Sequence, residues 1–188
     1  MARDQVELPP PESGSAFDNY YRSDSKRLFS FLLKLGATIQ EAEDASQDAW
    51  EEVFTRWDVI GSTNPAAYAR TVAEQRFIRS RARTKSEHEK LMQAGWATER
   101  PFADTHYVLL KDEAQRLIKI MQGLPYAQRR VLAWSIDGFK NAEIAEAIEQ
   151  PVATVRSNLR HAKDKVKAAV AAQRTKNTSS AGRKEAGK

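Results

Sequence analysis

The sequence predicts an all-α protein made of two small helical domains joined by a flexible linker. Apolar residues recur at helical spacing through most of the 188-residue chain, and the pattern lapses once, between Ser86 and His106. The absence of cysteine excludes a disulfide framework, a thiolate metal site and a cysteine nucleophile. No apolar run approaches the roughly 20 residues that a membrane-spanning helix needs, and the first residues lack a secretory signal. We therefore expect a cytoplasmic protein.

The first domain is predicted over residues 16–85, after a disordered leader, residues 1–15, that contains three consecutive prolines. Its first helix starts near Phe17 and ends at Gly36, because glycine readily terminates a helix. Thr38 and Glu41 have the spacing of a capping box and start the second helix. Asn64 and Pro65 start the third, which runs to about Arg83. The apolar stripe predicted for the second helix is Ala42, Ala45, Ala49, Trp50, Val53, Phe54 and Trp57.

The linker is predicted over residues 86–106 and the second domain over residues 107–170. Four helices are expected in the second domain. The first carries an apolar stripe that ends at Leu124, Gly138 ends the second, Asn141 begins the third, and the fourth follows Pro151. The basic, apolar-poor end of the chain, residues 171–188, is predicted to be disordered.

The last two helices of the second domain form a helix-turn-helix pattern, in which a short helix precedes one with a broad basic face. Arginine can read guanine and asparagine can read adenine, whereas serine, threonine and lysine bind phosphates, so this face suits DNA. A solvated basic face on an ordinary amphipathic helix is the alternative. The candidate DNA-binding residues are Thr154, Arg156, Ser157, Asn158, Arg160, His161 and Lys163.

The stretch "LPYAQRRVLAWSIDGFKNAEIAEAIEQPVATVRSNLRHAKDKV" resembles region 4 of the extracytoplasmic-function (ECF) sigma factors of the sigma-70 family. The residues shared with the family motif include Leu124-Pro125, Glu143-Ile144-Ala145, Pro151 and Thr154-Val155. This resemblance implies a helix-turn-helix bundle that binds the upstream, minus-35 promoter element. The departures are Lys140 in place of a capping Ser or Thr, Glu149 in place of a turn glycine, and Asn158 and His161 in place of arginines.

The acidic helix "EAEDASQDAWEEVFTRWD" resembles region 2.2 of the same family, which carries a D-x-x-Q-[ED] signature. Asp44, Gln47 and Asp48 match the signature and share one face of the helix with Glu51. The resemblance implies that this face binds the clamp helices of RNA polymerase, within a three- to four-helix bundle. A solvated acidic helix face is the alternative.

The third helix, "NPAAYARTVAEQRFIRSRAR", resembles regions 2.3 and 2.4, which in the family open the downstream, minus-ten element and hold a flipped base. Aromatic and amide groups can receive an unstacked base while arginines follow the single-stranded backbone. Here Glu74, Gln75 and Arg79 replace the usual Arg, Asn and Asp. The candidate minus-ten residues are Tyr68, Arg70, Gln75, Arg76, Arg79 and Arg83.

Together these features predict an ECF-type sigma factor that binds core RNA polymerase and promoter DNA, with no cofactor, metal site or catalytic residue of its own. The family resemblance leaves open a third partner, an anti-sigma factor that covers both domains. The net charge of +5 fits a DNA-binding protein. A helix-turn-helix regulator that does not support initiation is the main alternative. A hydrolytic enzyme has little support, because the three histidines are scattered and no acid-base pair is evident.

Overall fold

The computed structural model describes residues 12–93 and 112–185, and the predicted all-α fold is confirmed. No strand occurs within these ranges, and none of their helices is long and apolar enough to span a membrane. The first domain comprises α1 to α4 and the second α5 to α8. The bounds are α1 Glu12–Leu35, α2 Ile39–Thr55, α3 Trp57–Ile60, α4 Pro65–Gln93, α5 Asp112–Gln122, α6 Tyr126–Ile136, α7 Asn141–Ala147 and α8 Val152–Glu185.

Helices α2 and α4 begin at the residues that the capping patterns predicted. The hydroxyl of Thr38 accepts a hydrogen bond from the amide of Glu41 at 3.1 Å, and the Glu41 carboxylate accepts one from the amide of Thr38 at 2.7 Å. The Asn64 side chain accepts from the amide of Ala67 at 3.1 Å, directly before Pro65 starts α4. These bonds satisfy amide groups that the first turn of a helix leaves without a partner.

Helices α1, α6 and α7 each end with a residue in the left-handed region of backbone space. In all three, the amide of the next residue donates to a carbonyl in the last turn of the helix, which is the Schellman arrangement. Two of the positions hold glycine, which adopts this backbone without steric cost, and the third holds glutamate. The residues are Gly36 (φ 96°), Gly138 (φ 100°) and Glu149 (φ 53°).

Several helices extend further than the apolar pattern predicted. Helix α4 continues through residues 86–93, which were assigned to the linker, and α8 runs to Glu185 through the tail that was expected to be disordered. Helix α1 begins at Glu12, inside the predicted leader. Apolar spacing does not reveal these extensions, and only residues 86–93, with Glu, Lys, Leu, Met and Gln, are dominated by strong helix formers. Residues 1–11 of the leader and 94–106 of the linker lie outside the described residues.

The core of the first domain follows the predicted stripes with one clear exception. Ala42, Ala45, Ala49, Trp50 and Val53 are buried, as expected for the inner face of α2. The prediction for Phe54 was wrong, since its side chain is 61% exposed. The apolar stripe assumed one continuous helix, whereas α2 ends at Thr55 and α3 starts at Trp57 in a new direction, which leaves Trp57 half-buried.

The two domains pack directly against each other. Helix α1 contacts α5 and α6, and α4 contacts α7. At the centre of this contact the ring of Phe31 from α1 meets the indole of Trp134 from α6 edge-on, with their centroids 5.4 Å apart. Neither side chain has any exposed surface. The periodic pattern alone shows which residues are buried, but it does not distinguish burial within a domain from burial between domains.

Candidate functional site

The helix-turn-helix is formed by α7 and the first part of α8, as predicted. Ile144 and Ile148 from the α7 side pack with Val155, Leu159 and Ala162 of α8, and all of them are buried. Glu143 accepts a hydrogen bond from the backbone amide of Lys140 at 2.6 Å, so the start of α7 is capped although the usual Ser or Thr is missing. This packing fixes which side of α8 faces outward.

The outward side of α8 carries all the residues predicted to bind DNA. Asn158 is partly exposed and the other six are exposed, so they are distributed around the sides of α8 that the core leaves open. A basic helix surface with arginine, asparagine and serine side chains fits the width and the hydrogen-bonding groups of the DNA major groove. The residues are Thr154, Arg156, Ser157, Asn158, Arg160, His161 and Lys163.

The acidic face of α2 is also formed as predicted. Asp44, Gln47, Asp48 and Glu51 are exposed, and the opposite side of the helix is held in the core. Gln40 donates a hydrogen bond to the carboxylate of Asp44 at 3.0 Å. Because the buried side is firmly packed, the carboxylates form a surface of fixed geometry that can attract a basic partner.

An apolar groove lies beside the acidic face, between α1 and α2, and sequence reasoning missed it. Its volume is about 630 Å³, and Gln47 and Glu51 line both the groove and the acidic face. The exposed ring of Phe54 lies 5.0 Å, centroid to centroid, from that of Phe17. The aromatic lining is Phe17, Tyr21, Phe29, Trp50 and Phe54, and the acidic rim is Asp18, Glu43 and Glu51. The aromatic density of these two helices was the available signal, but the apolar spacing assigned Phe54 to the core.

The residues of α4 predicted to bind the minus-ten element fall into two groups. Gln75, Arg79 and Arg83 are exposed on the outer side of the helix. Tyr68 and Arg76 instead contact the carboxylate of Glu52, with the phenol donating at 3.2 Å and the guanidinium at 3.2 Å.

The remaining minus-ten candidate, Arg70, is only 1% exposed, so DNA does not reach it in this conformation. The environment of Tyr68 is also perturbed. Burial, followed by the hydrogen bond to Glu52, raises the pKa of the Tyr68 phenol above its ordinary value.

Comparison with known proteins identifies both domains. Residues 20–97 match the family model of sigma-70 region 2, and residues 114–166 match that of sigma-70 region 4. A curated relative, the ECF RNA polymerase sigma factor RpoE of Cereibacter sphaeroides, is 24% identical over 156 residues, which are 81% of this chain and 85% of the relative. The chain belongs to the sigma-70 family, whose regions 2 and 4 it carries in that order, and it is similar to an ECF sigma factor.

Two solved structures have the same fold as this chain. One is the sigma factor RpoE in complex with the anti-sigma factor NepR from Bartonella quintana, at 18% identity and a TM-score of 0.61, covering 79% of this chain and 92% of that one. The other is CnrH in complex with the cytosolic domain of CnrY, at 16% identity and a TM-score of 0.58, covering 85% and 95% of the two chains.

A buried ion cluster joins region 2 of this sigma factor to region 4. Arg70 of α4 donates to Asp137, which follows α6, at 2.6 Å and to Asp24 of α1 at 2.7 Å. The Lys34 ammonium lies 2.8 Å from the other carboxylate oxygen of Asp137. Burial lowers the pKa of Arg70, but the hydrogen bonds that it donates to Asp24 and the charges of both carboxylates outweigh burial and leave that pKa raised. Arg70 is therefore a charged, buried group whose partners come from both regions.

A second polar contact crosses the same interface one helical turn along α4. The carboxylate of Glu74, which is 1% exposed, accepts a hydrogen bond from the Tyr126 phenol at 2.5 Å. Arg130 lies with its Nε atom 2.6 Å from the same carboxylate oxygen. Burial, then the charge of Glu74, raises the pKa of Tyr126. Glu74, which departs from the usual family residue, thus has its partners in region 4.

Proposed function

We propose that this protein is a sigma factor that binds core RNA polymerase and directs promoter-specific transcription initiation. The observation that carries the proposal is that one chain presents an exposed basic recognition helix in region 4 and an exposed acidic helix face in region 2. A DNA-binding regulator needs the first surface, whereas a polymerase subunit needs both.

The acidic face of α2 is the proposed polymerase-docking surface. Asp44, Asp48 and Glu51 supply negative charge, and the neighbouring aromatic groove supplies apolar area that a partner helix can cover. A charged rim around an apolar centre is the arrangement in which charges guide the encounter and burial of the apolar centre provides the affinity. A basic helix pair with apolar side chains is the matching partner.

The two proposed DNA surfaces have different tasks. The α8 face, with Arg156, Asn158 and Arg160, would read double-stranded bases of the minus-35 element in the major groove. On α4, Gln75, Arg79 and Arg83 would contact the opened minus-ten element, where an amide can hold a flipped base and arginines hold the backbone. Arg70 reaches DNA only after it leaves its carboxylate partners, whereas Tyr68 and Arg76 are partly exposed beside Glu52.

An anti-sigma factor is the third proposed partner. One of the solved structures is a sigma factor in complex with an anti-sigma factor, and in the other CnrH is in complex with the cytosolic domain of CnrY. The aromatic groove of α1 and α2 is an apolar surface of the kind that protein partners cover.

The test is run-off transcription with purified bacterial core polymerase, with and without this protein, on a library of genomic fragments. New discrete start sites that share two spaced motifs would support the proposal. Absence of both transcripts and core binding in gel filtration would contradict it. Core binding without transcripts would favour the alternative, a regulator that occupies polymerase or DNA without opening the promoter.

A further inference from the structure

The contact between regions 2 and 4 combines a buried hydrophobic centre with buried charges. Phe31 and Trp134 form the hydrophobic centre, and the Arg70 guanidinium carbon lies 5.3 Å from the ring centroid of Phe139. Arg70 and Asp137 are 1% and 8% exposed and are linked at 2.6 Å. The interface is therefore a specific, closed arrangement in which each region supplies charges that the other region neutralises.

The ion cluster is built so that it can open. Arg70 contacts Asp24 through both terminal nitrogens, at 2.7 and 3.1 Å, and both residues belong to region 2. When region 4 leaves, this pair stays together and meets water, so no isolated buried charge remains in region 2. Asp137 loses Arg70 and Lys34 but becomes solvated at the end of α6. Desolvation offsets part of the attraction between buried charges, and opening recovers that hydration, so the cluster favours one closed arrangement without making closure irreversible.

The closed arrangement of regions 2 and 4 is incompatible with the promoter binding proposed above. This part of the inference rests on the proposed function. The minus-ten and minus-35 elements are separated by roughly 25 base pairs, or about 85 Å at 3.4 Å per base pair. In the closed protein the helix that would bind the minus-ten element, α4, contacts α7 of the helix-turn-helix directly. Two DNA surfaces on adjoining helices cannot engage elements that far apart, and Arg70 faces region 4 instead of solvent.

We infer that Asp24, Arg70, Lys34 and Asp137 form an electrostatic latch that holds the free protein closed, and that region 4 must be released before both promoter elements are bound. The latch is an autoinhibitory contact within one chain. Binding of core polymerase to region 2 and to a released region 4 then shifts the population to the open form. The closed population lowers the apparent affinity for any partner that requires the open form.

Two single substitutions, one in each region, test the latch. Asp137→Arg places a cation beside Arg70 and Lys34, and Lys34→Glu places a carboxylate beside Asp137. Both changes create like-charge repulsion in the closed state and leave solvated side chains in the open state, so each region can still fold. The double variant restores an opposite pair between positions 34 and 137 and should close again in part. Asp164→Arg, at an exposed acidic residue of α8, is the matched control.

Domain separation is measured by energy transfer between two dyes in the free, full-length protein. The chain contains no cysteine, so Ser62→Cys in region 2 and Ala168→Cys in region 4, both at exposed positions, give two defined labelling sites. Circular dichroism of each variant checks that its helices are retained. We expect high transfer in the parent protein and the control, low transfer in each single variant, and intermediate transfer in the double variant. Equal transfer in all five proteins would overturn the latch.

Core polymerase binding tests the inhibitory role separately. The two single variants should have a lower apparent Kd for core polymerase than the parent protein. The factor by which Kd decreases should equal the factor by which the fraction of open protein increases, and the control should have the Kd of the parent. Opened variants with an unchanged Kd would show that closure does not inhibit, which overturns the autoinhibitory role. If no protein binds polymerase, the proposed function fails, while the energy-transfer result still decides whether the latch exists.

Discussion

The amide of Glu149 donates to the carbonyl of Glu146 at 3.2 Å and closes α7 with a left-handed residue, φ 53°, at the turn of the helix-turn-helix. Glycine accepts this backbone freely, whereas a residue with a Cβ atom is strained by about 1 kcal/mol or more. The departure from the usual turn glycine therefore costs stability at this position.

Glu149→Gly should raise the free energy of unfolding by about 0.5 kcal/mol. The free energy gained by relief of backbone strain exceeds the entropic cost that glycine adds by making the unfolded chain more flexible. Urea denaturation followed by circular dichroism measures the change. Glu146→Gly is the matched control, because it places glycine inside α7 and should destabilise by about 0.5–1 kcal/mol. A loss of stability in both variants would contradict the strain at Glu149.

Alkaline pH should weaken the closed structure through Tyr126. Its pKa in the folded protein is raised, first by burial and then by the charge of Glu74. The positive charges of Arg130 and Arg129, on the same helix, lower that pKa by less. The unfolded phenol ionises near pH 10. The stabilisation is therefore fully present below pH 10 and is lost as the pH rises towards the higher folded value.

The measurement compares the parent with Tyr126→Phe by urea denaturation at pH 8 to 11. The phenylalanine variant loses the hydrogen bond to Glu74 and should be less stable at pH 8, but its stability should fall less steeply above pH 10. Tyr20, whose pKa is also raised by burial and by Asp24, titrates in both proteins and cancels in the comparison. Parallel pH profiles for the two proteins would show that Tyr126 does not couple ionisation to folding.

The sequence predicted those features that depend on local pattern. The capping box of Thr38, the start of α4 at Pro65 and the recognition face around Arg156 all follow from residue types at fixed spacing, and the structure has them at those positions. The burial of Arg70 was not predictable in this way. Its partner Asp137 is 67 residues away, and an arginine on a helix face gives the same pattern whether it meets DNA or a buried carboxylate.

The long extensions of α4 and α8 were missed for a different physical reason. Apolar periodicity detects a helix through the face that it buries, and the side chains of residues 84–87, 89 and 90 are all exposed. Ion pairs four residues apart, Arg83 with Glu87 at 2.8 Å and Lys85 with Glu89 at 3.7 Å, mark this segment instead. Such pairs add only about 0.2–0.5 kcal/mol each and give a weak signal in sequence.

Asp48→Arg should abolish binding to core polymerase while both regions stay folded. Asp48 is exposed at the centre of the acidic face, so reversing its charge costs little in the free protein but opposes a basic partner. We expect at least a roughly 100-fold loss of affinity, equivalent to about 3 kcal/mol. Fluorescence anisotropy with labelled protein measures it. Asp58→Arg, at an exposed carboxylate of α3 outside the predicted face, should bind normally. Unchanged binding of Asp48→Arg would remove the docking role of α2.

Arg156→Ala should weaken recognition of the minus-35 element without affecting polymerase binding. Arg156 lies on the exposed face of α8, where bidentate contacts to guanine contribute about 1–3 kcal/mol of discrimination against other bases. Loss of that contact should reduce transcription from a promoter with the native upstream element roughly tenfold or more. Transcription from a promoter with a scrambled upstream element should be unchanged. Lys167→Ala, at another exposed basic residue of α8 outside the predicted set, is the control.

The salt dependence of Arg156→Ala separates base readout from phosphate contact. Removal of a side chain that only neutralises phosphate weakens binding to native and to scrambled DNA equally, and it lowers the salt slope of binding by about 1. A side chain that reads guanine changes the ratio between the two DNAs. The comparison is made with the assembled holoenzyme, in which we expect region 4 to be released from region 2. Equal losses on both DNAs would assign Arg156 to the backbone and leave base reading to Asn158 and Arg160.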